Sequence, residues 1–579
     1  MTWITWQHLR MTATDAQPLT TDADPLAVTS LCEAFQNSVT LGGDQVALRT
    51  PGGTPEITWQ EYGERVRRLA EGLASLGVGT EDTVGIMLVN RPEFALVDTA
   101  ALHLGAVPFS IYNTSSPEQI AYLFGNAGNR VVVTEQAFLP QVLAAGTGAE
   151  TIVSIDGGEG TLSLDDLEQR TLDGFDFDAT WRAVTPDHVL TLIYTSGTTG
   201  PPKGVELTHG SMLAQLRGVQ AVIPARRGER STSYLPSAHV ADRWAGHYSA
   251  MAFGGTTTYV ADPKAVVAAL PEVRPTAWGG VPRVWEKIKA ALEAKGVTDP
   301  AALPEEHRVA VRQLLGLDDV RYTVSGAAPI APEVLEFFGA LGVPICELWG
   351  MSEISCCGTI NPPDDIRIGT VGKPIPGLEV RLADDGELLV RGPQLMRGYR
   401  NQPEKTAETI DADGWLHTGD IATIDDDGYV TIVDRKKELI INAGGKNMSP
   451  ANIEQVVKAS HPLIGQAVVV GDRRPYNVAL LVLDPDVCTA YAEQAGLADG
   501  STAALAEDPG VARQIADAVA AANARLSRIE QVKRYRILAN DWLPGGDELT
   551  PTMKLKRRPI AEKYAAEIEA LYAEGSDEA

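Results

Sequence analysis

Cysteine is scarce in this sequence, and long apolar runs are missing. Its five cysteines are spread over 579 residues without a C-x-x-C spacing. A disulfide framework and a thiolate metal site are therefore not expected, which fits a reducing compartment. No apolar stretch approaches the roughly 18 residues that a membrane-spanning helix needs, and the N-terminal region lacks the apolar core of a signal peptide. We expect a cytoplasmic protein, and a peripheral contact with a membrane stays open.

Basic residues are outnumbered by acidic ones. The 49 Lys and Arg residues against 76 Asp and Glu residues leave a formal net charge of −27. Such a charge disfavours binding to nucleic acid, whose phosphate backbone attracts basic surfaces. Hydrophobic content of 44% is ordinary for a folded globular protein. The length exceeds what one hydrophobic core supports, so two or more domains are predicted.

Strand-like and helix-like stretches alternate early in the chain. TVGIMLVN, VPFSIY and NRVVVTE are typical of buried strands, and the stretches between them are typical of helices. This βαβα order predicts parallel sheets with helices on their faces, and thus the α/β class. From about residue 380 the stretches VRLADDGELLVRG and IATIDDDGYVTIVD predict antiparallel hairpins with DDG turns.

The predicted organisation has three parts. Residues 1–28 are expected to form a disordered leader, residues 29–435 a large N-terminal domain, and residues 436–579 a small C-terminal α+β domain. The boundary is set near Arg435–Lys437, because a helix (PANIEQVVKAS), a hairpin and a long alanine-rich helical stretch follow it.

The segment TSGTTGPPKG, residues 195–204, concentrates hydrogen-bond donors in a flexible loop. It is not the nucleotide P-loop, because Lys203 follows two prolines and is not followed by a hydroxyl residue. The next residues, VELTH, are strand-like, so the loop is predicted to be the tip of a strand–loop–strand unit. Glycine N–H groups, the lysine charge and four hydroxyls suit a phosphate, although the composition also fits a surface turn. The hydroxyls belong to Thr195, Ser196, Thr198 and Thr199.

Four further motifs follow in order. They are ELWGMSE (347–353), LHTGD (416–420), DRKKELIINAGGKNMSPANIE (434–454) and LTPTMKLKRRPI (549–560). Together with YTSGTTGPPKG, the series closely resembles the AMP-forming adenylate-forming superfamily of acyl-CoA synthetases, luciferases and peptide-synthetase adenylation domains, over roughly residues 30 to 570. The resemblance implies a two-step reaction, in which a carboxylate attacks the α-phosphate of ATP and the thiol of coenzyme A then displaces AMP from the acyl-adenylate.

The resemblance implies nucleotide-binding roles along these motifs. Lys203 and Glu353 match catalytic positions, and Glu353 also matches the ligand of Mg²⁺. Asp420 matches the aspartate that accepts hydrogen bonds from both ribose hydroxyls, and Arg435 matches a second ribose contact. The other implied ATP- and AMP-binding residues are Thr195, Ser196, Gly197, Thr198, Thr199, Gly200, Gly326, Ala327, Ala328, Trp349, Gly350, Met351 and Ser352.

The resemblance also implies roles for the C-terminal domain, which would be mobile. Lys554 matches the catalytic lysine that reaches the carboxylate and the α-phosphate during adenylation, whereas a cluster such as KLKRR is otherwise typical of a solvated surface. Lys437 matches the hinge about which the domain rotates. The loop that would line the coenzyme A channel contains Gly444, Gly445 and Lys446.

YLPSAHVADRW (234–244) resembles the family's substrate-pocket motif, which implies an acyl pocket with His239 near its entrance. Some long-chain members of the family carry a gating tryptophan shortly after this histidine, and Arg243, Trp244 or neither could have that role here. TAWGGVPRVWEKI (276–288) resembles the long-chain fatty acyl-CoA synthetase branch. We therefore predict a ligase that uses ATP, Mg²⁺ and coenzyme A to activate a long-chain fatty acid. Three alternatives stay open: an acyl-AMP ligase that loads a carrier protein, a medium-chain or aryl-acid CoA ligase, and a non-catalytic acyl- or nucleotide-binding protein. A homodimer also stays open.

Overall fold

The computed structural model describes residues 24–146, 148–195, 201–441, 447–550 and 553–573. Within these ranges the chain has the predicted α/β class, with parallel sheets in the first part and antiparallel sheets later. None of the helices in these ranges is long and apolar enough to cross a membrane. The five cysteines all lie within them and are buried with free thiols.

The first part of the chain forms a parallel sheet with strand order β4-β3-β5-β6-β7, as the βαβα pattern predicted. Its helices pack on the sheet, and α4 begins with a capping box between Ser116 and Gln119 and ends at the left-handed Gly128. The strands are β1 (Val46–Arg49), β2 (Glu56–Thr58), β3 (Thr83–Met87), β4 (Val107–Ser110), β5 (Val131–Thr134), β6 (Thr151–Ser154) and β7 (Leu162–Ser163). The helices are α1 (Leu31–Gly42), α2 (Trp59–Ser75), α3 (Pro92–Leu102), α4 (Pro117–Ala127), α5 (Leu139–Ala144), α6 (Leu164–Glu168) and α7 (Phe177–Arg182).

The second part contains the parallel strands β12, β13 and β14, whose carboxyl ends meet at one edge. Ligands of α/β proteins bind at such an edge. The strands are β8 (Val189–Thr195), β9 (Lys203–Thr208), β10 (Arg230–Ser233), β11 (Thr256–Tyr259), β12 (Ala277–Gly280), β13 (Tyr322–Ser325), β14 (Ile345–Trp349), β15 (Thr359–Ile360) and β16 (Lys373–Pro374). The helices are α8 (His209–Val222), α9 (Val240–Asp242), α10 (Ser249–Phe253), α11 (Val266–Val273), α12 (Pro282–Ala294), α13 (Glu305–Leu315) and α14 (Pro332–Leu341), and a π-helical segment, Arg243–Tyr248, joins α9 to α10. Short 3-10 turns cover Pro263–Ala265, Pro300–Ala302 and Ser352–Ile354.

The third part is the antiparallel sheet β17-β18-β20-β21, and both predicted DDG hairpins belong to it. A short strand, β19, follows β18 in the chain but pairs with β9 and does not join this sheet. The strands are β17 (Glu379–Leu382), β18 (Glu387–Arg391), β19 (Gly398–Tyr399), β20 (Leu416–Ile424) and β21 (Val430–Arg435), and the helix is α15 (Pro403–Thr409).

The last part has a hydrophobic core of its own. Ile440 is the first residue of that core, and the core of the preceding sheet extends to Ile432. The strands are β22 (Ile440–Ile441), β23 (Asn447–Met448), β24 (Ile464–Val470), β25 (Asn477–Leu483) and β26 (Val532–Leu538). The helices are α16 (Pro450–Ala459), α17 (Pro485–Ala495), α18 (Thr502–Ala506), α19 (Pro509–Arg525), α20 (Arg557–Lys563) and α21 (Ala565–Ala573).

Candidate active site

A large cleft of about 2490 Å³ lies between the carboxyl ends of β13 and β14, the β20–β21 hairpin and the last part of the chain. It brings together residues that the motifs singled out from seven segments of the chain. Those lining it are Thr195, Lys203, His239, Trp244, Gly326, Ala327, Ala328, Trp349, Gly350, Met351, Ser352, Glu353, Asp420, Arg435, Lys437 and Lys554.

The glycine-rich segment is held by a hairpin. Strands β8 and β9 pair antiparallel, with Thr195 directly opposite Lys203, so the predicted strand–loop–strand unit is confirmed. The pairing brings Lys203 to the base of the loop, at the wall of the cleft. The loop residues Ser196, Gly197, Thr198, Thr199 and Gly200 lie outside the described residues.

Lys203, Tyr399 and Glu353 form a contact chain on one wall of the cleft. The Lys203 ammonium lies 3.9 Å from the centre of the Tyr399 ring. The Tyr399 hydroxyl donates a hydrogen bond of 2.8 Å to Glu353 Oε1. Burial and the nearby charges of Lys405 and Lys437 lower the pKa of Lys203, against the attraction of Glu353. Lys203 and Glu353 are therefore close together on this wall, and they do not form a direct ion pair with each other.

Glu353 is positioned by a tight turn after β14. The backbone bends back so that Cys356 N–H donates to the Met351 carbonyl at 3.2 Å. A Cβ at position 350 would lie 1.6 Å from the Cys356 carbonyl oxygen, so only glycine fits at Gly350. The turn leaves Glu353 94% buried in the wall.

Asp420 is held by contacts from two other strands. Trp349 Nε1 donates to its Oδ2 at 2.9 Å, and Arg435 Nε lies 3.0 Å from its Oδ1. The Arg435 contact follows from strand register, because the two residues are direct partners in β20 and β21. Burial raises the pKa of Asp420 despite the compensating charge of Arg435.

Lys554 reaches the cleft from a turn in the last part of the chain. Thr550 N–H donates to the Lys554 carbonyl at 2.8 Å, and Lys554 N–H donates to Thr550 Oγ1 at 3.0 Å. The Lys554 side chain is exposed to the space of the cleft, yet protein surrounds that space, and the resulting loss of hydration lowers its pKa. Arg435 lowers this pKa further, whereas Asp420 and Glu353 raise it, so the lysine lies near these three residues.

Lys437 lies in the turn between the third and last parts of the chain. Its predecessor, Lys436, pairs with Asp385 at 2.5 Å and with Glu387 at 2.9 Å, both in the third part. Its successor, Glu438, pairs with Arg557 of the last part at 3.0 Å. The Lys437 side chain itself is exposed to the cleft. The predicted channel residues Gly444, Gly445 and Lys446 lie outside the described residues.

The two candidate gate residues differ in their surroundings. Trp244 lines the cleft, whereas Arg243 is fully buried behind it and is absent from the described lining. Arg243 Nη1 lies 2.5 Å from Asp98 Oδ2, and the same carboxylate lies 3.0 Å from His247. Arg243 therefore neutralises a buried acid, and of the pair only Trp244 can contact a ligand in the cleft.

His239, which precedes Trp244 in the sequence, also lines the cleft. It caps the N-terminus of α9, where its Nδ1 accepts a hydrogen bond from Ala241 N–H at 3.1 Å. Burial, together with the nearby charge of Lys554, lowers the pKa of His239 to about 3. The imidazole is therefore neutral at physiological pH.

Comparison with known proteins identifies this arrangement. A family model described as AMP-binding enzyme matches residues 35–400. The chain belongs to this family. A second model, described as the AMP-binding enzyme C-terminal domain, matches residues 437–576.

Relatives of this AMP-binding enzyme align over most of its length. The protein fadD11 of Mycobacterium tuberculosis is 53% identical over 451 residues, which are 72% of this chain and 79% of that protein. The long-chain-fatty-acid–CoA ligase FadD15 of Mycobacterium bovis is 38% identical over 559 residues, or 89% of this chain and 92% of that protein. Among solved structures, the adenylation domain of a carboxylate reductase from Mycobacterium chelonae has a TM-score of 0.76 at 21% identity, over 95% of this chain and 92% of that domain, which supports the fold alone.

Two cleft residues of this AMP-binding enzyme, Glu347 and Tyr399, were not predicted. Glu347 lies on the same face of β14 as the predicted Trp349, two residues away, and that spacing was the signal that could have indicated it. Burial raises the pKa of Glu347 to about 8, and its partner in the sheet is Ser325, next to the predicted Gly326. Tyr399 had no local signal, because only the pairing of β19 with β9 brings it to Lys203.

Proposed function

We propose that this AMP-binding enzyme activates a long-chain fatty acid in two steps. In the first, a carboxylate oxygen of the fatty acid attacks the α-phosphorus of ATP, and pyrophosphate leaves. In the second, the sulfur of coenzyme A attacks the acyl carbon, the thiol proton is lost, and AMP leaves. The observation that carries the proposal is that one cleft joins Lys203, Glu353, Asp420 and Lys554 to an apolar arm.

The nucleotide side of the cleft suits an adenosine. Asp420 has a carboxylate that already accepts from Trp349 and is paired with Arg435. Each carboxylate oxygen has two lone pairs, so ribose hydroxyls have acceptors left. Trp349 lies against the same carboxylate, where its ring offers an apolar face to adenine. The backbone around Gly326 and Ala327 forms the opposite edge, and Ala327 is held at a left-handed φ of 68°.

The phosphate side combines cations with one carboxylate. The transition state of phosphoryl chemistry spreads charge over oxygens, so positioned cations supply most of the catalysis. Lys203 and Lys554 approach this region from different parts of the chain. Mg²⁺ takes few carboxylates together with phosphate oxygens, and the buried Glu353 beside Lys203 fits as its protein ligand. When bound, the ion would neutralise phosphate charge.

The acyl side is an apolar arm that begins at His239 and Trp244. Its lining residues include Leu216 and Val219 of α8, Ala245 of the π-helical segment and Phe253 of α10. A neutral His239 at the entrance lets an uncharged chain pass without meeting a second charge. An arm of this kind gains about 0.8 kcal/mol for each methylene that it buries, which favours a long acid over acetate.

The contacts around Lys437 support a hinge at this residue and a domain boundary near Arg435–Lys437. Lys436 is paired to the third part of the chain and Glu438 to the last part, so a rotation of the C-terminal domain needs to change only the backbone between them. Such a rotation withdraws Lys554 after the first step and opens the cleft to coenzyme A.

The direct test is an activity panel. Purified protein is given ATP, Mg²⁺, coenzyme A and one acid at a time, and AMP, pyrophosphate and acyl-CoA are measured. The proposal expects equal amounts of the three products and the highest kcat/KM with palmitate or oleate. Acyl-AMP without thioester would instead indicate a carrier-protein acceptor, and a maximum at an aromatic or short acid would contradict the long-chain assignment.

A further inference from the structure

The apolar arm follows α10 away from Trp244, and charged residues lie at the Phe253 end of that helix. Leu216 and Val219 of α8 line one wall, and Ser249 and Phe253 line the other. The segment after α8 is bonded to both walls, because Ala225 is hydrogen-bonded to Gln220 of α8 and Gly228 N–H donates to the Phe253 carbonyl at the end of α10. Ala225 and Glu229 of this segment line the cleft. The arm, which begins at Trp244, therefore has the Glu229 carboxylate at the Phe253 end of α10.

Glu229 does not face the arm as a free charge. It forms an ion pair with Arg321, which precedes β13, and the two side chains are 13% and 24% exposed. The Tyr322 hydroxyl lies 3.4 Å from Glu229 Oε2, and Arg226 N–H donates to Glu229 Oε1 at 2.8 Å. Both charges of the pair are therefore mostly buried.

Hydrogen bonds fix the backbone around this pair. Arg321 Nη1 donates to the Pro224 carbonyl at 3.1 Å. The Gln220 side chain bonds both backbone groups of Ala225, at 2.7 and 3.2 Å. On the other side, Thr256 N–H donates to the Glu229 carbonyl at 2.7 Å. The segment that carries Glu229 is therefore tied to α8, β11 and Arg321.

We infer that the Glu229–Arg321 ion pair closes the acyl arm and thereby sets the longest acyl chain that this enzyme accepts. A methyl end that reached the pair would have to separate two partly buried charges without offering either a new partner, which is costly. A shorter chain never meets the pair and is unaffected. The inference rests on the proposed function and adds to it a specificity-determining pair of residues.

The test compares acids of increasing length in the Glu229→Ala/Arg321→Ala double variant, which removes both charges together. The kcat/KM ratio of behenate to laurate is expected to rise at least about 10-fold, because several additional methylenes gain a place. Octanoate should change less than about 2-fold. Arg226→Ala is the matched control, because only the backbone of this exposed arginine bonds Glu229, and Arg321→Lys should keep the wild-type profile.

A second variant tests the same end in the opposite direction. Ala225→Leu adds bulk beside the ion pair and should reduce the length of the longest acid that the enzyme accepts. This variant also tests the inference if the double variant does not fold. A length profile that stays at wild type in the folded double variant, or in Ala225→Leu, would overturn the inference. The proposed function fails separately, if the wild-type enzyme activates no fatty acid of any length.

Discussion

At the scale of single residues, Asp420 connects two elements that line the cleft. It accepts from Trp349 of β14 and pairs with Arg435 of β21. Asp420→Asn keeps the shape and removes the charge. A hydrogen bond to a charged group contributes about 1.5–3 kcal/mol, so KM for ATP should rise roughly 10- to 100-fold, with kcat less affected. Initial rates against ATP measure this. Asp425→Asn, in the turn of the same hairpin and paired with Arg367, is the control, and an unchanged KM for ATP would contradict the assignment.

The ionisation of Glu347, a residue of the cleft, is expected to change the stability of the folded protein. Burial raises its pKa from 4.5 to about 8, so between these pH values the folded protein holds a proton that the unfolded chain releases. Its contribution to stability therefore falls as pH rises through that range. Glu347→Gln cannot ionise, so its Tm should exceed that of wild type by more at pH 8.5 than at pH 5.5. Thermal unfolding at both pH values measures this, and a difference that does not depend on pH would contradict it.

The motifs predicted some residues well and others poorly, for physical reasons. Lys203, Glu353, Asp420 and Lys554 are each marked by an unusual local sequence, and all four line the cleft. Arg243 lies in an equally marked motif, but its partner Asp98 is 145 residues away. No local pattern reveals that distant acid, which explains why the sequence alone could not separate Arg243 from Trp244.

At the scale of elements, the helix over residues 240–253 contains a π-helical segment and directs its side chains to two different faces. Ala245 and Ser249 line the cleft, whereas Arg243 and His247 are buried against Asp98. Such segments often mark functional sites. The small residues leave the arm open, and Arg243 and His247 anchor the opposite face.

Ser249→Phe should therefore shorten the arm. We expect kcat/KM for palmitate to fall at least about 10-fold, because several methylenes lose their place. Octanoate should change less than about 3-fold, and Ser249→Ala should resemble wild type with both acids. Competition between the two acids in one assay measures the ratio. An equal loss with both would mean that the substitution damages the fold or the nucleotide side instead.

The predictability of elements follows the range of their contacts. The hairpins β17–β18 and β20–β21 were predicted because a DDG turn is a local signal. Strand β19 was not, because it has only two residues and its partner, β9, precedes it by about 190 positions. The site depends on both kinds, since β21 supplies Arg435 and β19 supplies Tyr399.

At the scale of the whole molecule, ion pairs hold the C-terminal part against α12. Arg283 pairs with Asp484, and Lys287 Nζ lies 2.6 Å from Asp486. Both acids lie at the start of α17. The pairs hold the C-terminal part in the orientation in which Lys554 lies in the cleft.

The variant Arg283→Ala/Lys287→Ala should slow acyl-AMP formation about 3- to 10-fold, because exposed and half-buried ion pairs contribute little individually. Thioester formation from supplied acyl-AMP should not slow, since it does not require this orientation. Pyrophosphate release and acyl-CoA formation are measured separately. Lys289→Ala, whose ion pair with Glu293 lies within α12, is the control, and a loss confined to the thioester step would reverse the interpretation.

The most direct test of the account is to compare the two half-reactions in Lys554→Ala. The account holds that Lys554 serves acyl-AMP formation alone, so pyrophosphate release should fall roughly 10²–10³-fold, as when one positioned donor is removed from a transition state. Thioester formation from supplied acyl-AMP should stay within about 3-fold of wild type. Arg558→Ala, in the same basic cluster but paired with Glu562 on the surface, should leave both steps intact. Equal losses in the two half-reactions, or full adenylation without Lys554, would contradict the account.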